Sequence, residues 1–282
     1  MNFLITGANG QLGSKIQDLQ SEYSGNTFFF TDVDTLDITN EKAIGSYIEK
    51  NKIDVLINCA AYTAVDKAES ETLLAQKLNA EAPGLLAKAC ERHRAAFIHV
   101  STDYVFSGKT YIPYREEMPT DPQSAYGNTK RLGELAVIES GVKGAIVRTS
   151  WLYSEYGNNF VKTMLRLGSE RAELSVVYDQ AGSPTYAGDL AIALLQLAGK
   201  PFEGTELYHF SDEGVCSWYD FAVEIMKQKS FNCKINPIES KDYPTPAERP
   251  PYSVFNKSKI KQKLNIKIPH WRDSLTKCLE KL

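Results

Sequence analysis

Histidine is scarce in this chain and cysteine has no pattern. His93, His99, His209 and His270 are the only four histidines, and none stands at a metal-ligand spacing or beside a nucleophile as a hydrolytic triad would require. They are read as structural. Cys59, Cys90, Cys216, Cys233 and Cys278 form no CxxC pair, and their odd number suits reduced, buried thiols better than a disulfide framework. No apolar run reaches the roughly 18 residues of a membrane-spanning helix. The chain opens without a basic segment leading into an apolar one, so no signal peptide is expected and a soluble, cytoplasmic protein is. Positive charge is not in excess either. Thirty-two Lys and Arg against 35 Asp and Glu leave a net charge of −3, which argues against a nucleic-acid-binding face. Internal repeats and low-complexity segments are missing as well.

What is present is an ordinary globular composition, 43% hydrophobic and 24% charged over 282 residues, enough for one large α/β domain with a smaller addition. Short apolar runs at 2–6, 27–32, 55–58, 97–101 and 144–150 read as buried strands, and helical spacing fills the stretches between them. One of those helical stretches, 71–93, is expected to kink or break at Pro83 and Gly84. Buried strands alternating with helices predict a doubly wound parallel sheet of the Rossmann type, with ligands at the carboxyl ends of the strands. We therefore expect a dinucleotide-binding domain over residues 1–150. Beyond 151 the rhythm loosens: 173–180 and 206–210 read as strands, and 187–198, 217–228 and 271–282 as helices. Prolines crowd the stretch 237–251. Residues 151–282 are expected to be mainly a smaller substrate-binding part, interleaved with the first.

Two motifs carry the chemistry. Gly7, Gly10 and Gly13 stand between the first strand and the first helix, where missing side chains let a pyrophosphate rest on the helix N-terminus. Asp32 ends the second strand, 19 residues past Gly13, where an acid holds the adenosine ribose hydroxyls and favours NADH. The second motif is SAYGNTK. Tyr126 and Lys130 lie four apart, on one helix face, so phenol and ammonium point into the same space. The lysine's charge is expected to draw the phenol down from about 10 and make it a proton donor to a carbonyl. Ser101 and Thr102, in STDYVF just past the fourth strand, offer hydroxyls at the same edge. With Tyr126 and Lys130 following, Thr102 is the one read as functional. Arg148 and Trp151 follow the next strand, and Trp151 is a candidate wall for a sugar ring against the alternative of a core aromatic.

At these residues the whole chain resembles the extended short-chain dehydrogenase/reductase family, and within it the dTDP-4-dehydrorhamnose reductases. The matching stretches are GANGQLG (7–13), LDITN (36–40), NCAAYTAVDKAE (58–69), STDYVF (101–106), YGNTK (126–130), RTSWLY (148–153), NNF (158–160) and DQAGSPT (179–185). The resemblance implies reduction of the 4-keto group of dTDP-4-dehydro-β-L-rhamnose by NADPH or NADH, a step toward cell-surface polysaccharide. It implies that Gly10, Gln11 and Leu12 hold the pyrophosphate, that Asp37 and Ile38 flank the adenine, and that Ala61, Tyr62 and Thr63 line the cofactor channel. It further implies that Thr102 orients the keto oxygen, Tyr126 protonates it, and Lys130 binds the nicotinamide ribose. Thr102, Asp103 and Trp151 would touch the sugar nucleotide, and Arg249, in ERPPYSV (248–254), is weighed evenly for its phosphates against an exposed loop arginine. Some members form a Mg²⁺-bridged dimer through acidic residues, one of them on the first helix. Lys15 stands at that place here, so the expectation is a monomer or a dimer not bridged by metal. Two rivals remain: a 4-epimerase on the same scaffold, and a regulatory, non-catalytic subunit of a methionine adenosyltransferase. The STDYVF and RTSWLY stretches speak against the first, and the intact Thr102, Tyr126 and Lys130 against the second.

Overall fold

A computed structural model describes all of residues 1–282. In chain order, β1 (Asn2–Thr6), α1 (Gln11–Leu19), β2 (Thr27–Thr31), α2 (Glu41–Asn51) and β3 (Val55–Asn58) open the fold. Two short helices, α3 (Val65–Ala68) and α4 (Thr72–Gln76), lead to α5 (Ala82–His93), β4 (Ala96–Thr102), α6 (Ala125–Glu139) and β5 (Gly144–Thr149). The remainder holds β6 (Leu152–Tyr153), α7 (Phe160–Glu170), β7 (Glu173–Val177), β8 (Ala181–Gly182), β9 (Thr185–Tyr186) and α8 (Ala187–Ala198). It closes with β10 (Thr205–His209), β11 (Cys216–Ser217), α9 (Trp218–Gln228), β12 (Lys234–Ile238), α10 (Ser258–Leu264) and α11 (Trp271–Leu279).

Six strands form one parallel sheet in the order β10-β5-β4-β3-β1-β2. The chain winds outward from β1 to β2, then crosses back to β3, which places a topological switch between β1 and β3. Both faces are covered, and the strands read as unbroken apolar runs for that reason: all four residues of VLIN are buried. One face packs on α1, α8 and α10 through Ile16, Leu194 and Ile260, and the other on α2, α5 and α6 through Ile48, Leu86 and Val137. The sixth strand, β10, comes from residues 205–209, so the second half of the chain completes the sheet begun by the first.

Two local features depart from the sequence expectation. The 71–93 stretch does not simply kink. It passes through a π turn at Lys77–Glu81 just before Pro83, and this wider turn accommodates a proline without an N–H to donate. The proline-rich 237–251 stretch begins inside a strand: β12 pairs in parallel with β7 and includes Pro237. A two-stranded ribbon leaves outer backbone positions free of ladder bonds, and proline is tolerated there. No helix is long and apolar enough to cross a membrane.

Candidate active site

The carboxyl ends of β1, β3, β4 and β5 open onto one cleft of about 880 Å³. The glycine loop forms its floor. Gly7 has a positive φ of 65°, and a Cβ there would stand 2.6 Å from the backbone nitrogen of Ala60. A Cβ on Gly13 would strike the Gly7 carbonyl at 2.4 Å, so α1 can lie against the loop only without a side chain at that point. The amides of Gln11 and Leu12, the first of α1, have no intrahelical acceptor and belong to the cleft lining, while Gly10 donates its own to the Gly7 carbonyl at 3.1 Å. The loop therefore fits an anionic pyrophosphate in shape and in donor chemistry.

Around it stand Asp32, Asp37, Ile38, Ala61 and Thr63. Asp32 accepts from the backbone nitrogen of Asn9 at 2.9 Å, which ties the end of β2 to the glycine loop. Thr39 donates its backbone N–H and its hydroxyl to Asp37, keeping that carboxyl below its ordinary range. Tyr62 is the exception on this side, since its side chain is not part of the cleft lining. Its phenol donates to Glu71 at 2.6 Å, and its backbone N–H and C=O bond the Asn79 side chain at 2.8 and 3.0 Å. Asn79 sits in the π turn, so that turn holds the segment from which Ala61 and Thr63 reach the cleft.

The reacting end is built by β4 and α6. Ser124 caps α6, accepting from the Gly127 amide at 3.2 Å, and the first two turns bring Tyr126 and Lys130 to the cleft. Tyr126 is buried and stands edge-on to Tyr104, with ring centroids 5.3 Å apart. Its ionisation runs opposite to the sequence expectation. Burial pushes the phenol up to about 12, the Asp103 carboxyl pushes the same way, and only the Thr102 hydroxyl opposes them. Lys130 is not among the groups that act on the phenol; its Nζ donates to the Val100 carbonyl at 2.7 Å and lies 3.4 Å from His99 Nε2. Burial lowers Lys130 to about 8 although Glu134 supports its charge. The phenol thus keeps its proton at neutral pH, as an acid must.

Thr102 donates to Asp103 Oδ1 at 2.9 Å and accepts from the Tyr104 amide at 3.2 Å. The other Asp103 oxygen is buried without a partner, and burial raises this carboxyl to about 6. Ser101 turns away from the chemistry, donating to Glu134 at 2.6 Å. Arg148 also grips Glu134, at 2.7 and 2.8 Å, over the Phe106 ring, and lies outside the cleft wall. Arg249 is outside it too: its guanidinium forms a two-point pair with Asp66, each contact 2.8 Å.

Trp151 does line the cleft, with a positive φ of 49° and its indole stacked on Trp218 at 3.7 Å. The stack is possible because Gly182 has no side chain; a Cβ there would meet the Trp151 ring at 2.7 Å. Sequence reading missed Trp218, as well as Gly157, Asn158 and Asn159 on the same rim. Gln11 explains how that rim is held: its Oε1 accepts from Asn159 at 2.9 Å and from Ser154 at 3.1 Å. NNF was visible in the sequence, but nothing local tied it to the glycine loop.

The chain matches the model of the RmlD substrate binding domain over residues 1–282. It is 43% identical over 282 residues to a dTDP-4-dehydrorhamnose reductase of Aggregatibacter actinomycetemcomitans, covering 96% of each chain. Among solved structures, a dTDP-4-dehydrorhamnose reductase from Clostridium acetobutylicum is 43% identical with a TM-score of 0.93, covering 100% of this chain and 99% of the other. A dTDP-4-dehydrorhamnose reductase from Bacillus anthracis in complex with NADP is 40% identical with a TM-score of 0.94, at the same coverage.

Proposed function

The chain belongs to the RmlD substrate-binding-domain family, and from that premise we propose that it reduces the 4-keto group of dTDP-4-dehydro-β-L-rhamnose to dTDP-β-L-rhamnose with NADPH or NADH. The carrying observation is that Thr102, Tyr126 and Lys130 share one cleft with a glycine loop shaped for a pyrophosphate. When bound, the reduced nicotinamide supplies the hydride that reaches the keto carbon. The chain supplies position, charge and the proton.

In this reading Gly7, Gly10, Gln11 and Leu12 hold the pyrophosphate, Asp32 the adenosine ribose, and Asp37 and Ile38 the adenine. Ala61 and Thr63 border the channel, and Tyr62 acts through its backbone. Tyr126 gives its phenolic proton to the oxygen that becomes alkoxide, and the Thr102 hydroxyl turns from Asp103 to donate to the same atom. Lys130 binds the nicotinamide ribose with a second N–H while its bond to Val100 stays. Trp151 and Asp103 face the sugar, and residues 151–282 supply most of the sugar-nucleotide side while 1–150 supply the dinucleotide side. Contacts with the remote nucleotide hold the keto carbon in place and contribute much of the rate. A cytoplasmic, metal-free enzyme accompanies this reading.

The test is NADPH and NADH oxidation with enzymatically generated dTDP-4-dehydrorhamnose. Stoichiometric oxidation is expected. Tyr126→Phe is expected to bind cofactor normally and lose at least about a hundredfold in turnover. A wild-type protein that binds cofactor and oxidises none would overturn the reading.

A further inference from the structure

A row of polar side chains crosses the sheet directly behind Lys130. Thr6, Asn58 and His99 are register partners on the adjacent strands β1, β3 and β4, all fully or almost fully buried. Thr6 donates to Asn58 Oδ1 at 2.7 Å, Asn58 Nδ2 lies 3.1 Å from His99 Nδ1, and His99 Nε2 lies 3.4 Å from Lys130 Nζ. A polar row through an otherwise apolar sheet is costly unless each group is bonded, and this one ends on a residue of the cleft.

The orientation of the row follows from one donor. The Ala60 backbone N–H can only donate, and it reaches the same Asn58 oxygen at 3.1 Å. The atom facing Thr6 and Ala60 is therefore the oxygen, and the amide NH₂ must face His99. His99 Nδ1 accepts that bond, so in the neutral ring the proton is on Nε2 and points at Lys130. Burial and the Lys130 charge keep the ring well below its ordinary range, hence neutral. An N–H aimed at Nζ is satisfied by a neutral amine, which has a lone pair, and opposed by an ammonium, which has none.

We propose that the Asn58–His99 pair is a positioning element that favours loss of a proton from Lys130, the step that restores Tyr126 after each reduction. One proton leaves Nζ and one arrives on the Tyr126 oxygen. The neutral Nζ then donates to Val100 and accepts from His99, and solvent returns a proton to Nζ before the next reduction. Other ionisable groups act on this end from their own elements: Glu134 on α6 supports the ammonium while held by Arg148 and Arg131, and Asp103, beyond β4, acts on Tyr126. His99 is the only group that meets Nζ with a donor.

Two measurements test this, and the kinetic one rests on the reductase reading. Nitrogen-15 NMR of histidine-labelled protein, with His99 assigned by its loss in His99→Gln, should show a bare Nδ1 and a protonated Nε2. A protonated Nδ1 overturns the proposal, and this measurement requires neither turnover nor a folded Asn58 variant. Asn58→Asp retains the acceptor for Ala60 but presents a second acceptor to Nδ1, which moves the ring proton there and turns Nε2 into an acceptor for the ammonium. The alkaline limb of kcat is expected to move up by about one pH unit or more, a tenfold change in proton affinity. A folded Asn58→Asp whose limb stays in place, even with lower turnover, reduces the pair to packing and overturns the proposal. Absence of keto reduction in the wild-type protein would sink the functional reading while leaving the tautomer result standing.

Discussion

The Gln11 side chain accepts a hydrogen bond from Asn159 across 2.9 Å and thereby joins the first turn of the cofactor helix to the rim contributed by the second half of the chain. Ser154 shares the same oxygen at 3.1 Å. A residue assigned to the pyrophosphate thus spends its side chain on holding the cleft together, leaving its backbone N–H for the ligand. Gln11→Ala should lower stability by about 1 kcal/mol, the net worth of an ordinary hydrogen bond, and weaken NADPH binding several-fold through a loosened rim. Melting curves and a cofactor fluorescence titration measure the two effects. Unchanged cofactor affinity would show that the 154–159 rim holds its place without Gln11.

Asp103 gives a pH prediction with a definite sign. Its folded-state carboxyl is raised to about 6 from 3.8, mainly by burial, so between those values the folded chain binds more protons than the unfolded one. The contribution of this group to stability therefore falls as pH rises through that window. Asp103→Asn cannot ionise. The melting-temperature difference, variant minus wild type, should become more positive from about pH 4 to about pH 7. A difference that is flat across the window would mean that the carboxyl is solvated.

Arg249 is committed to Asp66 at the edge of the second half, and the same Asp66 accepts from the Ala247 backbone N–H at 3.2 Å. Breaking a partly exposed pair costs little. Arg249→Met is expected to lower stability by no more than about 1 kcal/mol and to leave KM for the sugar nucleotide within about twofold. A tenfold rise in KM with kcat intact would put the guanidinium on the substrate phosphates.

Lys15 on the first helix is almost fully buried, 2.8 Å from both Asp18 and Glu155. Burial opposes its charge, but bonds to Asp18 and Glu155 outweigh it and raise its proton affinity. Its ammonium neutralises the acids nearest the helix, leaving a divalent ion little to gain there. Sedimentation should give one mass with Mg²⁺ and with EDTA alike. A dimer that EDTA dissociates would contradict this.

Most strands of the main sheet were legible because burial on both faces demands short, largely apolar runs such as NFLIT and VLIN. Tyr126 and Lys130 were legible because a helix brings positions four apart onto one face. β7 was legible as well, but its partner β12 was not, since Pro237 is a signal against a strand until the edge position is known. Trp218 lay equally hidden: it is one aromatic among 15 Tyr, 12 Phe and 3 Trp, and only the missing Cβ of Gly182 lets Trp151 stack on it.

Spacing along the chain sufficed for the glycine loop, the individual strands and the tyrosine–lysine face, because each depends on residues within a few turns of one another. The protonation of that face did not follow from spacing. Sequence reading gave Lys130 the task of lowering Tyr126. In the folded chain burial raises the phenol, and Val100 and His99 take hold of the amine. His99, read as structural, is turned toward Lys130 by Asn58, 41 positions earlier and one strand away. Desolvation and the direction of a buried N–H depend on what surrounds a group in three dimensions, and parallel strands gather those surroundings from segments far apart in the chain.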